Sequence, residues 1–213
     1  MKVRGVLLVL SGPSGAGKGT ICQALLKSRP DMCYSVSATT RQPRAGETDG
    51  LNYFFLAKER FEEMIRNDEL LEYASVYGNY YGTPRQYVED KLAQGCDVVL
   101  EIDPQGAMQI KKKFPEGVFV FIVPPSPEEL SERIHKRGTD SKDVIDKRLS
   151  AAAAELACAS KYDYLVVNDQ VDAATAKVSA IITAEKNRVA RNCDLIDKVC
   201  QSFLLAQKEE QHG

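Results

Sequence analysis

The run Gly12-Pro13-Ser14-Gly15-Ala16-Gly17-Lys18-Gly19-Thr20 holds the residues best suited to bind phosphate. Glycines let the backbone bend so that successive N–H groups converge on an anion, and a following helix adds its positive N-terminal end. Lys18 supplies a mobile charge for β and γ phosphates. The spacing from Gly12 to Gly17-Lys18 fits a nucleotide phosphate loop, although Gly19 stands where that pattern carries Ser or Thr and Thr20 comes one residue late. The plainer alternative is a tight turn with a surface lysine.

Further candidates lie downstream. Arg41 and Arg44 share a Pro/Gly-punctuated loop, which is either a solvated basic loop or a pair of planar forks converging on one anion. Glu101 and Asp103 close an aliphatic run; if the strand continues through both, they share a face and call for a cation or several donors nearby. Arg133 and Arg137 are one helical turn apart, Gly138-Thr139 interrupts, and Arg148 follows, a pattern open to a small lid carrying charge as well as to solvated helix arginines. Glu69 to Tyr73 and Tyr77 to Pro84 carry carboxylates and tyrosines that read first as surface and turn residues.

These groups need elements to hold them. Val6–Leu10 reads as a buried strand, and Ile21 to Leu26 as the helix after the loop, ending near Pro30. Alternating residues predict one short strand over 34–40 and another at Tyr53-Phe54-Phe55, with a helix from Lys58 to Arg66. Asp97 to Asp103, Val118–Val123 and Tyr164–Val167 read as buried parallel strands, each ending where an open α/β sheet binds ligands. Ser126 is a candidate N-cap with Pro127 at the first helical position. A helical pattern spans Asp172 to Asn192, an amphipathic stripe follows through Ile196, Val199, Cys200 and Phe203, and Gln207 to Gly213 reads as frayed.

Composition bounds the rest. The 213 residues suffice for one α/β domain with inserted lobes, and a net charge of -2 argues against nucleic acid or an anionic membrane as main partner. No apolar run approaches the roughly 20 residues of a membrane span. The six cysteines form no CxxC pair and read as small buried or half-buried hydrophobes in a cytoplasmic protein.

Taken together, Gly12–Thr20, Ser37-x3-Arg41-x2-Arg44, Asn79-Tyr80-Tyr81-Gly82, Glu101-Ile102-Asp103-x-Gln105-Gly106, Arg137-Gly138-Thr139 and Lys147-Arg148-Leu149-Ser150 resemble the guanylate kinases of bacteria. The resemblance covers about residues 4 to 190. It implies a P-loop kinase core with a parallel sheet flanked by helices (1–34, 85–125, 150–213), a small mixed α/β GMP-binding lobe (35–84) and a helical lid (126–149). The implied reaction is ATP + GMP ⇌ ADP + GDP with Mg²⁺, in a monomer or homodimer, with dGMP a further acceptor. Arg41, Arg44, Tyr53 and Tyr81 would hold the GMP phosphate. Glu72 would accept from guanine N1–H and the 2-amino group, Ser37 and Thr83 would donate to O6, and Asp103 would assist. Residues 12–20 with Arg133 and Asn168 would hold ATP, Asn168 near its adenine. Lys18, Arg41, Arg137 and Arg148 would act in catalysis, and Thr20 and Glu101 would lie near the metal. Pro104 departs from the family's bulky residue at its position, which bears on the loop after the strand.

Overall fold

In the computed structural model, residues 4–136, 150 and 152–210 are described. A five-stranded sheet forms the centre, built from β1 (Leu7–Ser11), β2 (Met32–Tyr34), β7 (Asp97–Glu101), β8 (Val118–Val123) and β9 (Tyr164–Val167). Its order is β2-β7-β1-β8-β9, and every pairing is parallel. β1 is buried along its whole length, as expected of a parallel strand covered on both faces. One face packs on α1 (Lys18–Ser28) and α7 (Val171–Lys186) through Leu8, Leu10, Ile21, Leu25 and Val178. The other packs on α3 (Arg85–Ala93) and α4 (Pro104–Lys113) through Leu7, Val9, Leu92 and Ile110.

The resulting lobe has its own four-stranded sheet of order β4-β3-β6-β5, made of β3 (Ala38–Thr39), β4 (Phe54–Phe55), β5 (Leu70–Val76) and β6 (Asn79–Pro84). Helix α2 (Lys58–Arg66) caps it, and Ala38, Phe61, Met64 and Leu70 form a separate small core. Where one strand was expected over 34–40 there are two, in different sheets: β2 pairs with β7, and after Ser35–Ser37 the chain pairs again as β3 with β6. The residues expected as surface and turn at 69–84 form a hairpin instead. Tyr77 and Gly78 turn it with φ of 49° and 79°. Its register shifts between Leu70 and Glu72; Leu70 enters the lobe core, and Leu71, on the opposite face of the strand, packs in the main one.

Other differences are local. β7 ends at Glu101, so Glu101 and Asp103 do not share a strand face; Asp103 turns out to be the N-cap of α4, its Oδ1 accepting from Gly106 N–H at 2.9 Å. Pro104 starts that helix, a position proline suits. The expected cap at α5 (Pro127–Lys136) is present, with Glu129 N–H donating to Ser126 Oγ at 3.2 Å. A short helical segment, α6, follows at 152–156. α7 stops at Lys186, a 3₁₀ turn occupies Val189–Arg191, and α8 (Cys193–Glu210) continues past the expected fraying point. Cys193 and Cys200 on α8 are exposed, unlike buried Cys22. No helix among the described residues is long and apolar enough to cross a membrane.

Candidate active site

The phosphate loop joins β1 to α1. Gly12, Gly15 and Gly17 have φ of 140°, 91° and 88°, where side chains are strained. A Cβ on Gly12 would lie 2.1 Å from the Ile122 carbonyl oxygen, and one on Gly17 2.3 Å from Asn168 Nδ2. Gly17 caps α1 without any side-chain acceptor, and the first turn holds no acid, so its N–H groups are left for an anion. Lys18 Nζ donates to the loop's own carbonyls, Gly12 O at 2.6 Å and Pro13 O at 3.1 Å. That contact keeps the ammonium over the cradle.

Asn168, at the end of β9, braces this loop. Its Nδ2 donates to Ala16 O at 2.8 Å, its backbone N–H donates to Val123 O, and its carbonyl accepts from Arg133. The side chain is 2% exposed, with Oδ1 buried and unpartnered. Gly15, Gly17, Thr20, Arg133, Asn168 and Asp169 line a cavity of about 340 Å³. Arg133 is held there by Glu129 Oε1 at 2.9 Å. Sequence reasoning placed Asn168 beside adenine and missed its bond to a loop 152 residues away.

Glu101 lies against Gly19. Leu10 pairs with Glu101 across β1 and β7, which brings the carboxylate over the start of α1. A Cβ at residue 19 would sit 3.1 Å from Glu101 Oε2 and 3.3 Å from Oε1. Glycine leaves that space to the carboxylate. Among the described residues no group of three or more His, Cys, Asp or Glu is poised to hold a metal. The Glu101 carboxylate and the Thr20 hydroxyl, one residue past Gly19, are oxygen donors of the kind Mg²⁺ takes, and that ion keeps several waters and uses one or two carboxylates with substrate phosphates.

A second cavity, about 260 Å³, opens between the two sheets, lined by Ser37, Tyr53, Glu72, Tyr81, Thr83, Glu101 and Asp103. Glu72 is 8% exposed, and Thr83 Oγ1 donates to its Oε1 at 2.7 Å. Burial, reinforced by the Asp103 charge and opposed by the Thr83 bonds and Lys113, pushes the Glu72 carboxyl up to about 7. Such a group asks for donors. Thr83, expected to face a base oxygen, has its hydroxyl proton turned to Glu72. Ser35, buried in the same wall with an unpartnered Oγ, was not singled out by the sequence. A larger cavity of about 760 Å³, lined by α5 and residues 152–156 with Val123 to Ser126, holds none of the expected site residues.

Arg41 stands beside Tyr53, one of the residues lining the 260 Å³ cavity. Glu47 grips it with two 2.9 Å bonds, and the guanidinium carbon stands 5.5 Å from the Tyr53 ring centroid and 5.7 Å from that of Phe55. Arg44 is exposed, with no side-chain ion pair among the described residues. Arg137 and Arg148 lie outside the described residues. Thus the loop, Glu101 and the 260 Å³ cavity converge on the carboxyl ends of β1 and β7.

Comparison with known proteins identifies the family. A family model described as guanylate kinase matches residues 4–185. A guanylate kinase of Caldanaerobacter subterraneus subsp. tengcongensis is 59% identical over 199 residues, 93% of this chain and 97% of that protein. One from Desulfitobacterium hafniense is 60% identical over 187 residues, covering 88% and 94%. The crystal structure of guanylate kinase from Anaplasma phagocytophilum, 37% identical, overlays with a TM-score of 0.69 across 90% of this chain and 91% of that one.

Proposed function

The chain belongs to the guanylate kinase family, and from that premise we propose how its residues divide the work of the reaction. It transfers a phosphoryl group from ATP to GMP, giving ADP and GDP. The observation that carries the residue assignment is the buried Glu72 carboxylate facing a cavity at the same sheet edge as the phosphate loop.

In this reading Glu72, ionised, accepts hydrogen bonds from guanine N1–H and the 2-amino group. Adenine offers a lone pair at N1 and no 2-amino group, so the carboxylate would face it unpaired, a mismatch that sites of this kind reject strongly. Asp103, close enough to raise the Glu72 carboxyl, assists on the 2-amino side. Ser37 serves O6, and Thr83 does so if its hydroxyl turns from Glu72. Arg41, Arg44, Tyr53 and Tyr81 hold the GMP phosphate.

ATP lies with its phosphates on residues 12–20 and its base toward the cavity beside Arg133 and Asn168. The acceptor oxygen of GMP is already ionised, so no general base is needed, and the enzyme's task is alignment and charge stabilisation. Lys18 leaves the Gly12 and Pro13 carbonyls to follow the γ-phosphoryl group, and Arg41 stabilises it from the acceptor side. Arg137 and Arg148, by resemblance, complete the set. Mg²⁺, held near Thr20 and Glu101 largely through water and the nucleotide, would neutralise charge on the β and γ phosphate oxygens.

The test is initial-rate ADP production with Mg-ATP and each of GMP, AMP, CMP, UMP and dTMP. GMP should stand alone as a fast acceptor, and Lys18→Ala should slow it by about a hundredfold or more. Equal rates with AMP would overturn the role given to Glu72.

A further inference from the structure

The loop that carries Arg41 and Arg44 contains a carboxylate whose three hydrogen bonds all go to those two residues. Glu47 Oε2 accepts from Arg41 Nη1 at 2.9 Å and from the Arg44 backbone N–H at 2.7 Å, while Oε1 accepts from Arg41 Nη2 at 2.9 Å. We propose that Glu47 is a positioning residue that sets which edge of the Arg41 guanidinium meets the GMP phosphate. The inference rests on the assignment of Arg41 to that phosphate.

A guanidinium has five N–H donors in a fixed fork. Nη1 gives one to Gln42 O at 2.7 Å and one to Glu47, and Nη2 gives one to Glu47. What remains is the side-on pair, Nε–H and the second Nη2–H, which matches two oxygens of a phosphate and lies within hydrogen-bonding reach of Tyr81, the other group given to that phosphate. Tyr81, given to the same phosphate, is close enough to raise the Arg41 guanidinium further, after Glu47 itself. The Arg41 guanidinium carbon lies over the rings of Tyr53 and Phe55. Glu47 thus holds the end-on edge and leaves the other to the substrate. The turn beneath is built to keep it there. Glu47 N–H donates to Arg44 O at 3.0 Å, Thr48 N–H to Asn52 Oδ1 and Phe55 N–H to Asp49 Oδ1, both at 2.8 Å. Pairing with Arg41 and the Arg44 amide holds the Glu47 carboxyl below its usual range, so it stays an acceptor through neutral pH.

The experiment is steady-state kinetics on the full chain for wild type, E47Q, R41A and the double variant, with GMP and ATP varied in turn and thermal unfolding recorded for each. A glutamine would turn an N–H donor toward the fork and free it to rotate. E47Q is therefore expected to raise the KM for GMP about tenfold, with the KM for ATP unchanged. The same change on the R41A background should have no further effect, because the group it orients is gone. Should E47Q melt below assay temperature, E47D, which keeps the charge and shortens the reach, carries the test. An equal effect with and without Arg41, or a lower KM for GMP in E47Q, overturns the positioning role while leaving Arg41 on the phosphate. If R41A itself leaves the KM for GMP unchanged, the assignment of Arg41 fails and the inference with it.

Discussion

Replacing Glu72 by glutamine should make the protein more stable and worse at recognising GMP. The carboxyl is buried, its main perturbation is loss of hydration, and it rises from 4.5 to about 7 on folding. A group raised this way binds more protons folded than unfolded between those two values, so the folded state loses stability as pH climbs through that window. At about 1.4 kcal/mol per pH unit, the ionised carboxylate costs about 3 kcal/mol above pH 7 and nothing below pH 4.5. Glutamine keeps an acceptor for Thr83 and carries no charge. The ligand-free Glu72→Gln variant should therefore melt above wild type by about 5–10 °C at pH 8, converging with it near pH 4.5. Thermal denaturation across that range, without nucleotide, measures the difference. In parallel, kcat/KM for GMP should fall roughly a hundredfold, since the amide can accept only one of the two guanine hydrogen bonds. A variant that melts at or below wild type at pH 8, or a gap that ignores pH, would refute the reasoning. So would a wild-type kcat/KM for GMP that stays flat as pH drops from 8 to 5, with Asp103 and Lys113 the neighbouring charges.

Gly17→Ala should destabilise by about 2 kcal/mol or more and sharply weaken ATP binding, because its Cβ would meet Asn168 Nδ2 at 2.3 Å from a φ of +88°. Gly46→Ala is the control, with a φ of +85° but open space, and should cost only about 1 kcal/mol; urea unfolding compares them. Asp97→Ala should cost about 3–5 kcal/mol by the same assay, since this fully buried carboxylate accepts from Val6 N–H at 2.9 Å, Lys186 at 2.8 Å and Arg29 at 3.3 Å. Its folded fraction should turn over GMP at near the wild-type rate, because Asp97 opens β7 at the end opposite the site.

The elements that could be read from the chain were those specified locally. An aliphatic run stopping at Gly12 announces strand and phosphate loop, and Ser126-Pro127 announces a helix start, because the determining contacts lie within a few residues. The lobe was harder. Nothing between 34 and 40 marks where the chain leaves one sheet for another, and Tyr77 turns the hairpin with a φ that usually signals glycine. At the site, residue types were legible and their partners were not. Gly19 departs from the motif, and nothing near it in sequence shows that the Glu101 carboxylate, on a neighbouring strand, lies 3.1 Å from where its Cβ would be. The amide of Asn168 reaches a loop on the far side of the sequence, and no periodicity encodes such a bond. Glu47 was hidden differently: an acid among arginines reads as ordinary loop composition until Gly46 bends the backbone and points it home.

The register shift in β5 has a consequence for how this enzyme can change. Leu70, Leu71 and Glu72 are consecutive, yet they serve the lobe's interior, the main interior and the base cavity. One stretch of backbone is thus an axle clamped at two bearings, with the Glu72 carboxyl carried beside them. A shift of one interior against the other would move that carboxyl with it. With Glu72 reading the base as proposed, repacking either leucine would re-aim it, so a change of nucleobase preference is expected to need substitutions in both interiors as well as at Glu72.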